Sequence, residues 1–315
     1  MSNKLSIKTK INFSFDINYL MKLGDGRICF SYENNILILN KRTFQIEIKK
    51  EKAHKKEILS LSQLEDGKLI SCANEPILNI YNIEEKSLSI HQKIDVLSKI
   101  PDNLKKKFKY IFKATELTNK DLAICGTFPF MIFYEYNSLK ELYEFKYYIL
   151  NERGDNIKNF IQIDENQIIL IAWKSYAFGS NTRILLCDLK KKKINEKPII
   201  THKGKFNGES ICKLSENYLA VAVYDSILII DLKKLKRIKE YCVDQVFCEN
   251  LCVFDNYLFC GNSIGTIYKY IINEDKLELK DKITEKDIPI VSLIKYNRET
   301  LIVSQGKTII IYNLS

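Results

Sequence analysis

The sequence predicts an all-β fold of seven four-stranded antiparallel sheets, and three observations predict it. A short hairpin unit recurs seven times, an apolar strand follows each hairpin, and the two ends of the chain together supply the one strand the count otherwise lacks. The hairpin unit is an apolar residue, four mostly polar turn-like residues, then a second apolar residue. The pairs are Leu23/Ile28, Leu64/Leu69, Leu117/Leu122, Ile163/Ile168, Leu214/Leu219, Val253/Leu258 and Tyr296/Leu301. Between them lie segments such as Gly24-Asp25-Gly26-Arg27 and Glu65-Asp66-Gly67-Lys68. Gly, Asp and Asn close tight turns because they tolerate positive φ or bond their own backbone. Successive pairs begin 41, 53, 46, 51, 39 and 43 residues apart. A four-stranded propeller blade needs ~40–45 residues, so the expected fold is a seven-bladed β-propeller.

The second unit is an apolar run closed by Asn, Asp or an aromatic. Ile36-Leu37-Ile38-Leu39-Asn40, Leu78-Asn79-Ile80-Tyr81-Asn82, Ile227-Leu228-Ile229-Ile230-Asp231 and Thr308-Ile309-Ile310-Ile311-Tyr312-Asn313 are examples. Short runs rich in Ile and Tyr fit buried strands better than helices. From each run to the next hairpin there are 24, 35, 26, 26, 22 and 25 residues, which must hold an outer fourth strand. Only two residues follow Asn313, so the last blade lacks its own outer strand. Residues 4–13 alternate as an outer strand should, and are expected to complete blade seven and remove an open sheet edge. The blades are expected at about 17–52, 57–95, 111–150, 157–202, 209–244, 249–284 and 289–315 of a single 1–315 domain.

Strands ending in Tyr-Asn or Ile-Asp resemble the Trp-Asp ending of WD-repeat β-propellers, and Ala53-His54-Lys55-Lys56-Glu57-Ile58 resembles their Gly-His segment. The resemblance spans the chain, although no repeat holds Trp-Asp and only one keeps the His. It implies a structural network in which His54 meets Asn74 or Glu75, Ser71 and Tyr81. It also implies a non-catalytic disc that binds proteins and holds them in an assembly. The double glycines of Kelch propellers are absent.

Two insertions interrupt the period. About eight extra residues fall within Lys174–Thr182 of blade four, expected as a loop, and about ten within Asp95–Tyr110 ahead of blade three. In a four-stranded antiparallel blade both connections leave the same face. The candidate protein-binding residues there are Lys105, Lys106, Lys107, Tyr110, Arg153, Tyr176, Phe178, Arg183, Lys205 and Phe206. Basic groups interleaved with aromatics suit an acidic or phosphorylated peptide, because charge steers and aromatic area anchors. The competing reading is neutral surface decoration, with 95–110 a short packing helix.

Composition excludes other classes. The 315 residues carry 46% hydrophobic residues, 11 Gly and 5 Pro, and no apolar run approaches the ~20 residues of a membrane helix. No apolar leader follows Met1, so the expected compartment is the cytoplasm, with the nucleus open, and the nine Cys are expected reduced. The net charge of +10 comes from 43 Lys and only 6 Arg. Arg is the side chain that grips phosphate bidentately, so a nucleic-acid or ribonucleoprotein role is an alternative rather than the leading reading. A ubiquitin-ligase substrate receptor is a further alternative, resting on the loose match of Leu39-Asn40-Lys41-Arg42 to an adaptor-docking element. Lys190-Lys191-Lys192-Lys193 fits a solvated turn.

No catalytic residue, cofactor or metal is expected. His54, His91 and His202 sit in different repeats without a nucleophile motif, and no phosphate loop is present. Of Cys242, Cys248, Cys252 and Cys260, close in sequence, only Cys248 and Cys252 have zinc-knuckle spacing, and the Gly-containing turn of a knuckle is missing. Cys29, Cys72, Cys125 and Cys260 recur at one place on the second strand, as small buried hydrophobes do. The single Trp, Trp173, is expected to plug blade four.

Overall fold

The structure, a computed structural model, describes residues 5–176, 179–204, 208–243, 248–285 and 287–314. It is all-β, with seven blades of antiparallel strands and almost no helix. Strand β1 is Leu5–Asn12. Blade one holds β2 (Tyr19–Lys22), β3 (Ile28–Tyr32), β4 (Asn35–Leu39) and β5 (Ile46–Lys50). Blade two holds β6 (Ile58–Gln63), β7 (Leu69–Ala73), β8 (Ile77–Ile83) and β9 (Leu88–Asp95). A 3-10 turn (Val96–Lys99) and the short helix α1 (Asp102–Lys105) precede blade three, which is β10 (Ile111–Glu116), β11 (Leu122–Gly126), β12 (Phe130–Asn137) and β13 (Leu142–Leu150). Blade four holds β14 (Asn156–Asp164), β15 (Gln167–Tyr176), β16 (Gly179–Asp188), β17 (Lys193–Ile194) and β18 (Ile200–Gly204). Blade five is β19 (Gly208–Lys213), β20 (Tyr218–Val223), β21 (Ser226–Asp231) and β22 (Lys236–Cys242). Blade six is β23 (Cys248–Phe254), β24 (Tyr257–Asn262), β25 (Thr266–Asn273) and β26 (Lys276–Thr284). Blade seven is β27 (Ile290–Asn297), β28 (Thr300–Gln305) and β29 (Thr308–Leu314).

The chain divides into two compact units: Met21–Lys174 with Leu185–Lys197, and Met1–Leu20 with Ser175–Ile184 and Pro198–Ser315. In the first unit, β4, β7 and β11 are buried at every residue, while outer β5 buries only Ile48. A strand paired on both edges and covered on both faces reads as a continuous apolar run, which is why the inner runs do not alternate. Ile70 and Leu78 of blade two pack in one cluster with Ile124 and Ile132 of blade three. Each such side chain contributes roughly 1.5–3 kcal/mol by leaving water.

A clasp recurs in this unit at the residue just before the first apolar residue of a hairpin. Gln63 Oε1 accepts from the Gly24 N–H at 2.7 Å, Glu116 Oε2 from the Glu65 N–H at 2.6 Å, and Gln162 Oε1 from the Thr118 N–H at 2.9 Å. Each ties the first strand of one blade to the hairpin tip of the blade before it.

In the second unit, β1 pairs antiparallel with β29 from Leu5↔Leu314 to Asn12↔Thr308, giving the sheet order β1-β29-β28-β27. The first strand of the chain is the outer strand of its last blade. Leu5 is buried in the cluster that holds Leu301, Val303 and Tyr312. At the clasp position of blade seven, Lys295 instead reaches the Asp255 carboxylate at 2.6 Å.

Three expectations are corrected. The insertion in blade four is a lengthened hairpin rather than a loop, for β15 and β16 each run ten residues. The extension gives β16 an edge that β18 pairs from Ser180↔Gly204 to Ile184↔Ile200, while β17 pairs only Cys187 and Asp188. Trp173 is half-buried rather than a full plug, and its indole N–H has no hydrogen-bond partner among the described residues. Cys260 is buried as expected, but it is disulfide-bonded to Cys248, beside a bulge in β23.

Candidate protein-binding surface

The connection 96–110 in the first unit is built on an apolar stripe. Val96, Ile100 and Leu104 are buried in the cluster shared by blades two and three, Val96 from the 3-10 turn, Leu104 from α1 and Ile100 from the extended link between them. Asp95 caps the 3-10 turn by accepting from the Leu97 N–H at 3.0 Å, and Ser98 Oγ donates to the Asp95 carbonyl at 2.7 Å. Phe108 stacks on Phe128 at 4.6 Å, and Phe128 meets Phe130 at the same distance, so an aromatic column carries the segment onward.

With the apolar side committed, the lysines face water. Lys99, Lys106, Lys107 and Lys109 are exposed, and half-buried Lys105 pairs with Asp102 at 2.8 Å. The segment holds five Lys against one Asp. Half-buried Tyr110 is fixed through its backbone: its N–H donates to Thr127 Oγ1 at 2.9 Å, and its carbonyl accepts from the Thr127 N–H at 3.0 Å. Its ring stands edge-on to Phe112 at 5.0 Å, with the Lys158 ammonium 5.5 Å above the same Phe112 ring. Gly126 permits this path, because a Cβ there would lie 2.2 Å from the Tyr110 carbonyl oxygen.

Arg153 is exposed in the turn after blade three, where Asn151 Oδ1 accepts from its N–H at 3.3 Å, and its Nε donates to the Glu196 carbonyl. The other candidates belong to the second unit or its boundary: Tyr176 lies on β15 and half-buried Arg183 on β16. Phe178, Lys205 and Phe206 lie outside the described residues.

His54 bonds Glu75 and Ser71, and Tyr81 joins the same region through Ala53 and Asn79. The His54 Nδ1 meets Glu75 Oε1 at 2.8 Å and its Nε2 meets Ser71 Oγ at 2.7 Å. The carboxylate accepts, so Nδ1 carries the proton and Nε2 receives the serine O–H. Tyr81 O–H donates to the Ala53 carbonyl at 2.9 Å and accepts from Asn79 Nδ2 at 3.1 Å. Burial lowers the His54 pKa below the ordinary imidazole value, with Glu75 opposing it, so the ring is held neutral.

Two groups escaped the sequence reading. Lys113 spans two blades, its Nζ donating to Asn159 Oδ1 and the Phe160 carbonyl, both at 2.9 Å; burial lowers its pKa. Nothing but an unexpected charge on an inner strand hints at it. Tyr134, 3% exposed, has a hydroxyl with no hydrogen-bond partner among the described residues, and its sequence context matches that of Tyr81. Among the described residues no His, Cys, Asp and Glu group could hold a metal ion, and no helix is long and apolar enough to cross a membrane.

No family model matches the chain. No curated protein matches it either. Among solved structures, 1519 chains match, a number that makes the architecture common property and no guide to a role. One is the crystal structure of Chaetomium thermophilum Raptor, with a TM-score of 0.77 at 12% identity. The match covers 98% of this chain and 29% of that one, so the chain spans under a third of the length of its structural neighbour. At that identity the likeness shows the fold alone: a seven-bladed β-propeller.

Proposed function

We propose that the chain is a non-catalytic interaction propeller of WD-repeat type that holds protein partners within a larger assembly. The partner is an acidic or phosphorylated peptide, and the surface is the 96–110 segment with Lys105, Lys106, Lys107 and Tyr110, flanked by Arg153. One observation carries the reading. Val96, Ile100 and Leu104 anchor the segment in the core, so its lysines are presented from a fixed base and a partner that engages them meets little ordering cost. The structural likeness to Raptor supports the propeller frame that carries this surface and nothing finer.

The test is capture of partners by the tagged full chain, identified by mass spectrometry, with wild type beside Lys105→Glu/Lys106→Glu/Lys107→Glu. Loss of the principal partner from the variant is the expected result; its retention counts against this surface. The nucleic-acid alternative makes a different prediction, since phosphate-dominated binding falls steeply with added salt whereas aromatic anchoring does not.

A further inference from the structure

We infer that the cleft between β9 and blade three is a subsite for a single carboxylate side chain of an acidic partner peptide, gripped by Tyr134, Lys93 and Lys99. The inference rests on the acidic-peptide reading above and adds to it a specific site. The cleft has a volume of about 490 Å³ and is lined by residues that include Tyr134, Lys93, Lys99, Asp95, Glu144 and Phe145.

Its distinguishing group is the Tyr134 hydroxyl, which has no hydrogen-bond partner among the described residues and lies just under the cleft surface in a side chain only 3% exposed, so a ligand oxygen reaches it once the side chains over it part. Buried polar groups are almost always satisfied, so one that is not calls for a partner the free chain lacks. The phenol remains protonated, because burial and then Asp95 push its pKa upward, and it is therefore a standing donor. The charges around it are unequally committed. Asp95 Oδ1 is taken by the Leu97 N–H. Glu144 accepts from Lys140 at 2.6 Å and from Asn137 at 3.2 Å. Lys93 and Lys99 are exposed and form no ion pair among the described residues. One neutral donor and two available ammoniums call for an oxyanion. The neighbouring Asp95 selects a monoanion over a dianionic phosphate, whose repulsion with that carboxylate would be about twice as large.

The test uses the full chain and three fluorescein-labelled peptides of one length: Gly-Glu repeats, Gly-Gln repeats and Gly-phosphoserine repeats. Anisotropy titrations at low salt should show the Glu peptide binding at least about tenfold tighter than the Gln peptide. Tyr134→Phe should weaken the Glu peptide about tenfold, and Lys93→Gln/Lys99→Gln should do at least as much. Both lysines are exposed, so that variant reports on binding whatever Tyr134→Phe does to folding. Equal binding of Glu and Gln peptides, wild-type affinity in the lysine variant, or a marked preference for phosphoserine would overturn the proposal. The surface reading fails on different evidence, namely retention of the natural partner by the Lys105/Lys106/Lys107 variant.

Discussion

Blades two and three place a tyrosine at the same point of the same strand pairing: Tyr81 faces Leu69 as Tyr134 faces Leu122. Both are buried, and both precede the closing polar residues of the third strand. The Tyr81 hydroxyl bonds the Ala53 carbonyl and Asn79, whereas the Tyr134 hydroxyl has no hydrogen-bond partner among the described residues. The difference lies in the connections that lead into the two blades. Residues 51–57 form a tight link that brings Ala53 and His54 to Tyr81 and Ser71. The corresponding link to blade three, residues 96–110, is built on buried Val96, Ile100 and Leu104 and supplies no such carbonyl. One position thus serves stability in one blade and is left open in the next, and the connecting segment decides which.

The largest effect is expected at the residues that admit the two connections. Ala73 of blade two, opposite Ile58, corresponds to Gly126 of blade three, opposite Ile111. Gly126→Ala should cost about 3 kcal/mol or more, because its new methyl would fall on the Tyr110 carbonyl, a backbone atom that cannot step aside. Ala73→Gly should cost only about 1 kcal/mol, the ordinary strand penalty for glycine. Denaturant melts of the two variants measure both. Equal costs would mean that the long connection does not constrain blade three.

Next in size is Tyr81→Phe, which removes two buried hydrogen bonds and leaves the Ala53 carbonyl one donor short. A loss of roughly 1–3 kcal/mol is expected, read from the shift in the urea midpoint. A smaller change follows from the pH dependence of His54. Its folded pKa lies below the unfolded imidazole value, so in that window the unfolded state binds more protons and stability rises with pH. The contribution is fully present above the unfolded pKa and is lost as pH falls through the lowered folded pKa. His54→Gln should therefore flatten the wild-type decline in melting temperature below about pH 6.5. A decline of the same slope in the variant would show that the ring is not held neutral in the network.

The period of the fold was legible because it adds over seven repeats. Hairpins such as Leu64/Leu69 and strand ends such as Tyr312-Asn313 are local signals, and the closing role of β1 followed from counting residues between them. What the sequence hid depends on partners distant along the chain. Residues 174–182 looked like a loop because turn-forming Gly179, Ser180 and Asn181 outweighed the pairing with β18, some twenty residues on. Lys113 gave no sign that Asn159 and Phe160 of the next blade would hold its ammonium. The candidate surface was legible as a run of lysines and aromatics, but not the anchoring of that run by Val96, Ile100 and Leu104.

The smallest expected effect is the most discriminating. Tyr81 and Tyr134 read alike in sequence, so a sequence-level argument predicts similar losses on removal of either hydroxyl. The structure predicts opposite outcomes. In Tyr134→Phe no hydrogen bond is lost, and a buried hydroxyl that lacks a partner is replaced by a hydrogen atom of nearly the same shape. Such an exchange is close to neutral and can stabilise by up to about 1 kcal/mol, because the phenol no longer has to be desolvated without return. Calorimetric melts of Tyr134→Phe and Tyr81→Phe, run together, should show the first at or above wild type and the second clearly below it. A matching loss in Tyr134→Phe would mean that its hydroxyl has a structural partner, and the hydroxyl would then have no part in the cleft. A neutral melt combined with weakened binding of the Glu peptide would separate the two tyrosines into a structural group and a recognition group on one repeated frame.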